Sequence, residues 1–214
     1  MTTFWESTDW AATGSCLQAI AGFASAAAIV YAVRKGLNTF AQWRRQRQAD
    51  RQIAVAERVL TLVYRAKDAF RAIRSPAVFS GELSQAEEAL EQTIPGTEDP
   101  SRRLVVQAQV VVARIAQHKD LWNELFDCLP LARAFLGVEV EQLVRRVWQE
   151  RSNVDAAAHG YAESEGDREF RRKCEATIWE YVGAMRPEGD AVTKSVDEIV
   201  QDAERILLPV LRSV

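Results

Sequence analysis

The chain has 214 residues, 48% of them hydrophobic and 27% charged, with only 10 Gly and 6 Pro and a formal net charge of −3. Those proportions describe a folded protein and exclude collagen-like, low-complexity and intrinsically disordered chains. How the charge is distributed along the chain is more informative than its total.

Before residue 34 the only formally charged side chains are Glu6 and Asp9, so residues 1–10 read as a short acidic stub. Ala11 to Val33 are 23 consecutive residues without a formal charge. As a helix rising about 1.5 Å per residue they cover roughly 34 Å, against a hydrocarbon core of about 30 Å. Residues 11–33 are therefore expected to form a transmembrane helix. Trp5 and Trp10 lie on one side of it, and Tyr31, Phe40 and Trp43 on the other, where amphipathic rings favour the headgroup level. Residues 34–52 carry Arg34, Lys35, Arg44, Arg45, Arg47 and Arg51 against Asp50 alone. The positive-inside rule then places the N-terminus outside and the C-terminus in the cytoplasm of a single-pass protein. Arg34, Lys35, Arg44, Arg45 and Arg47 are the residues expected to meet anionic lipid.

Insertion is marginal in energy, because nine of the 23 residues are Ala and six (Leu17, Ile20, Phe23, Ile29, Val30, Val33) are strongly apolar. Those six supply about −2 to −4 kcal/mol. Two other readings stand beside the anchor. A cleaved signal peptide needs positive charge before the apolar stretch, whereas here it follows; the second is a buried Ala-rich helix in a water-soluble bundle. Small residues also suit helix–helix packing. Ser15 with Ala19 and Gly22 with Ala26 form small-xxx-small pairs, Gln18 can hydrogen-bond across a contact, and a homo-oligomer is the expected consequence.

Residues 53–214 read as a cytoplasmic bundle of four or five principal helices, giving an all-α fold with one membrane helix running into it. Ile53, Ala56, Val59, Leu60, Val63, Ala66, Phe70 and Ile73 recur at helical spacing up to Arg74-Ser75-Pro76. A short acidic helical stretch is expected over Ser84–Gln92, between the breaks at Ser80-Gly81 and Pro95-Gly96. A second long helix is expected from Asp99-Pro100-Ser101, through Leu104, Val111, Ile115 and Trp122, to a kink or end at Pro130. The third is expected over Glu139 to about Ala158, with His159-Gly160 and Gly166 marking the next gap. A fourth carries Phe170, Cys174, Ile178, Tyr181, Val182 and Met185, and a last one carries Val192, Val196, Ile199, Ala203, Ile206 and Val210. No strand-like alternation of useful length appears.

Several stretches resemble a widespread group of bacterial membrane proteins that have one N-terminal anchor, a helical cytoplasmic domain and no assigned activity. They are Ala56-Glu57-Arg58-Val59-Leu60, the Tyr64–Phe79 stretch with Asp68 and Arg74-Ser75-Pro76, the His118–Trp122 turn, Ala134-Phe135-Leu136-Gly137, and Glu175–Glu180 around Trp179. The resemblance implies the same topology and supplies no chemistry.

The residues offer no catalytic, cofactor-binding or metal constellation. His118 and His159 stand far apart without ligand spacing around them, and His118, between Ile115 and Trp122, reads as a helix-packing histidine. Cys16, Cys128 and Cys174 show no CxxC, and Cys128 and Cys174 read as free buried thiols in a reducing compartment. No nucleophile elbow or phosphate-binding loop occurs. Asp68, Arg71 and Arg74 on the first cytoplasmic helix and Glu175 and Glu180 on the fourth are expected either to pair between helices, fixing their register, or to be solvated. The basic character is a local band, which argues against nucleic acid as a partner.

The function expected is thus a non-enzymatic single-pass membrane protein whose partners are the lipid bilayer, further copies of itself and a cytoplasmic protein. The alternative is an oligomerising, membrane-permeabilising effector gated by its bundle, with Thr13, Ser15, Gln18 and Ser25 lining a path.

Overall fold

The computed structural model describes residues 10–93, 102–180 and 190–212. The stub with Trp5, Glu6 and Asp9, the expected cap around Asp99-Pro100-Ser101, and Tyr181, Val182, Met185, Pro187 and Gly189 lie outside them. Among the described residues there is no strand, and seven helices replace the four or five expected. They are α1 (Trp10–Ile73), α2 (Ser80–Thr93), α3 (Arg102–Gln117), α4 (Lys119–Leu136), α5 (Val138–Ala162), α6 (Arg168–Ile178) and α7 (Ala191–Arg212). The chain divides into two compact units, residues 1–50 and residues 51–214.

In the first unit the described residues form helix only. In the second, α5 packs against α3, α4, α6 and α7, while α2 lies on α3. One core joins Ala56, Val59, Val63, Phe70 and Ile73 to Val111, Leu125, Val144, Ile178, Ile199 and Leu207. A satellite cluster of Ala86, Val106 and Val110, with Val78, Leu83 and Leu90 against it, fastens α2 to α3.

The extra helices have local causes. The expected second long helix breaks at His118, where the chain tightens so that His118 N–H donates to the Ile115 carbonyl at 3.2 Å. The Trp122 indole Nε1–H donates to that same carbonyl at 3.2 Å, so the break leaves a buried polar atom satisfied. His118 itself is half-buried at the turn, between the buried Ile115 and Trp122. Pro130 does not end α4, which continues to Leu136 with Leu129 and Ala132 both buried on the core. The stop comes at Gly137, whose φ of 96° is the left-handed region that favours glycine.

His159-Gly160 is not a gap either, since α5 runs through it to Ala162. Glycine is needed there for close approach: a Cβ on Gly160 would lie 3.0 Å from the Phe170 ring of α6. The gap begins instead beyond Ala162. Asp167 then caps α6, its side chain accepting from Glu169 N–H at 3.0 Å and Phe170 N–H at 2.9 Å.

Candidate membrane segment and buried arginine junction

Among the described residues one helix, α1, is long and apolar enough to cross a membrane, and its most apolar window is wholly unburied. Phe23 is 78% exposed, and Leu17, Ile20, Ile29, Val30 and Val33 are each more than half exposed. Leaving such side chains in water forfeits about 1.5–3 kcal/mol apiece relative to burying them. The segment's polar groups are partly satisfied within the helix. Ser25 Oγ donates to the Ala21 carbonyl at 2.8 Å, which lowers the penalty for placing that hydroxyl in hydrocarbon. Ser15, Gln18, Ala19, Gly22 and Ala26 are all exposed, and Gly22 has open space around its Cα.

Beyond this apolar stretch the structure exposes Arg34, Lys35, Arg44, Arg45 and Arg47. Three of the five lie over an aromatic ring one turn earlier: Lys35 over Tyr31 at 5.9 Å, Arg44 over Phe40 at 5.3 Å and Arg47 over Trp43 at 5.2 Å. The Phe40 and Trp43 rings stack with centroids 5.8 Å apart. Each pair joins a ring suited to the interface with a cation suited to anionic headgroups.

In the second unit the chemistry that stands out is structural. Arg74, 2% exposed, lies at the end of α1. Its Nε donates to the Thr177 carbonyl at 2.8 Å, one terminal nitrogen to Thr193 Oγ1 at 3.1 Å, and the other to the Trp179 carbonyl at 3.1 Å and to the Asp190 carboxylate. Asp190 also caps α7, accepting from Val192 N–H at 2.9 Å. Arg74 thus ties the ends of α1, α6 and α7 together. The structure gives Arg74 a different carboxylate from those expected: Asp190, before α7, and neither Glu175 nor Glu180. Glu180 contributes its backbone N–H, which donates to the Arg74 carbonyl at 2.7 Å. Asp68 and Arg71 are exposed and take no part in this junction.

Arg114, which the sequence did not single out, holds the other side of the same loop. It donates to the carbonyls of Ile73, Ser75 and Ala77 at 3.3, 2.7 and 2.7 Å and bidentately to Glu82, at 2.8 Å to each oxygen. The hydrogen bonds from Arg114 hold the Glu82 carboxyl down at about 2. Its signal in the sequence was faint: an arginine one residue before Ile115, on an otherwise apolar stripe. Glu141 is similarly lowered, mainly by its hydrogen bonds from Arg145, with Arg133 also near.

Trp122 and Trp179 are buried and Trp148 half-buried, so all three serve packing, with Phe70 edge-on to Trp122 and Phe126 edge-on to Trp148. Cys128 and Cys174 are buried free thiols whose pKa burial pushes up, and Cys16 is exposed. Among the described residues no group of three or more His, Cys, Asp or Glu could hold a metal. A surface groove of about 410 Å³ beside α5 and α7 is lined by Glu139, Arg146, Asp202 and Arg205, with Asp202 pairing with both arginines. No protein-family profile, curated protein or solved structure matches the chain. The functional reading therefore rests on its own residues.

Proposed function

We propose that the chain is a non-enzymatic single-pass protein of a bacterial inner membrane, N-terminus outside and C-terminus cytoplasmic, whose helical domain mediates contacts with a cytoplasmic protein or with further copies of itself. The observation that carries this reading is the uncovered apolar face of α1 between Leu17 and Val33. Side chains that the chain itself does not bury need another apolar phase, and lipid supplies one along the whole segment. The basic band after it gives the direction, because translocating Arg34, Lys35, Arg44, Arg45 and Arg47 is the costlier choice. The anchor confines the helical domain to a surface, raising its local concentration so that modest contacts become effective.

Fractionation tests this. The full-length chain should stay with membranes through alkaline and high-salt washes, and a version beginning after Gln42 should be released into the soluble fraction. Release of the intact chain by salt alone overturns the spanning anchor, and external labelling of a cysteine placed near Val214 overturns the orientation. Ion flux from the purified protein in liposomes would transfer the assignment to the pore-forming alternative.

A further inference from the structure

Helix α1 carries two seven-residue repeats on different columns. In the second unit Ala56, Val59, Val63, Ala66, Phe70 and Ile73 repeat by threes and fours and are buried in the bundle core. In the first unit the same two columns contain Lys35 and Arg45, both exposed. Another pair of columns there carries Ile29, Val33, Gly36, Phe40 and Trp43, again by threes and fours, and reaches back through Ala26 to Gly22. These five residues are exposed and uncharged although the band around them contains Arg34, Lys35, Arg44 and Arg45, which fall on different columns; Arg47 and Asp50 are the first charges on the seam itself. Phe40 and Trp43 remain 55% and 49% exposed.

We infer that this second seam is the contact face for a second copy of the chain, forming a parallel, in-register coiled coil that starts in the membrane and continues through the basic band to Asp50. The inference rests on the anchor proposed above and names its partner and register.

Three arguments select a second copy over lipid as the cover. A lipid-facing helix has no need of a sustained 3.5-residue period, whereas two like helices that supercoil do. Identical chains inserted in one direction are already parallel, so each column meets itself across a two-fold axis. Where the seam ends, Arg47 and Asp50 occupy successive layers, so each layer of like charge has one of opposite charge beside it. With Gly36, Trp43 and Asp50 as one kind of core layer and Val33, Phe40 and Arg47 as the other, the Asp50 side chain of one copy enters a hole that includes Arg47 of the other. Asp50 is the one acid of the basic band, it is exposed, and among the described residues no ion pair within the chain engages it.

The test uses the full-length chain in the membranes of expressing cells, with Cys16→Ala and single cysteines introduced by turn at Ile29, Val33, Gly36, Phe40, Trp43, Lys35, Gln42 and Arg45. Under mild oxidation, disulfide-linked dimers should form at the first five positions and not at the last three. Asp50→Arg should lower the cross-linked fraction by up to about fivefold, the scale set by exposed ion pairs, and adding Arg47→Asp should restore it. Cross-linking without the heptad pattern, or a fraction indifferent to both charge changes, overturns the seam. An alkaline wash of the same membranes separates the two readings: a pattern that fails in chains that resist the wash defeats the seam and leaves the anchor standing, whereas a pattern that persists in chains the wash removes defeats the anchor alone.

Discussion

In the unit of residues 1–50, Phe23 is 78% exposed and Ile20 65%; in the unit of residues 51–214, Val59 and Leu125 are 0% exposed. Both regions are helical and both carry apolar side chains at helical spacing, yet only the second closes over its own. The second unit also buries two arginines, each with a carboxylate and several carbonyls as partners, whereas the cations of the first lie exposed on its surface. The contrast teaches that apolar spacing sets helix and face, while tertiary packing decides which of those faces the chain itself covers.

The largest expected effect attacks the buried half of the contrast. Asp190→Ala leaves the Arg74 guanidinium unpaired in the core and uncaps α7, and should destabilise the bundle by about 3–5 kcal/mol. Urea unfolding of the full-length chain in lipid nanodiscs, followed by tryptophan fluorescence, measures it. A loss below about 1 kcal/mol would mean that water reaches the junction and that the two regions differ less than stated.

The next effect falls on the exposed half. Phe23→Arg should oppose insertion by about 2.5–3.5 kcal/mol, reducing the fraction that resists an alkaline wash and leaving the urea midpoint of the bundle unchanged. A midpoint that falls together with insertion would show that protein, not lipid, covers Phe23.

The smallest effect sharpens the electrostatics of the bundle. Glu82 is held at about 2 instead of 4.5, so its folded-state pKa is the lower one. Its contribution to stability is therefore complete above the unfolded value of 4.5 and is lost as pH falls from there towards about 2. Because the carboxylate is 27% exposed, about 1–2 kcal/mol is expected, less than the shift alone would give. Glu82→Gln should remove that part of the acid dependence in unfolding measured from pH 5 to pH 2, and an unchanged pH profile would assign the acid sensitivity to other groups.

The sequence alone was sufficient for the all-helical class, for the uncharged stretch with its basic flank, and for the inward stripes of α1, α3, α5 and α7. Those are matters of neighbours three and four residues apart, and such neighbours share a helix face whatever the rest of the chain does. For Arg74 it left pairing and solvation both open. The tertiary structure decided the rest. Asp190, 116 residues from Arg74, supplies the carboxylate, Arg114 gathers the loop after α1, and His118 becomes a turn at which its own N–H and the Trp122 indole both donate to the Ile115 carbonyl. Gly160 stays inside a helix because the Phe170 ring occupies the space where a side chain would go. Each of these depends on which groups meet across the core, and local periodicity is blind to distances that only packing of the whole bundle creates.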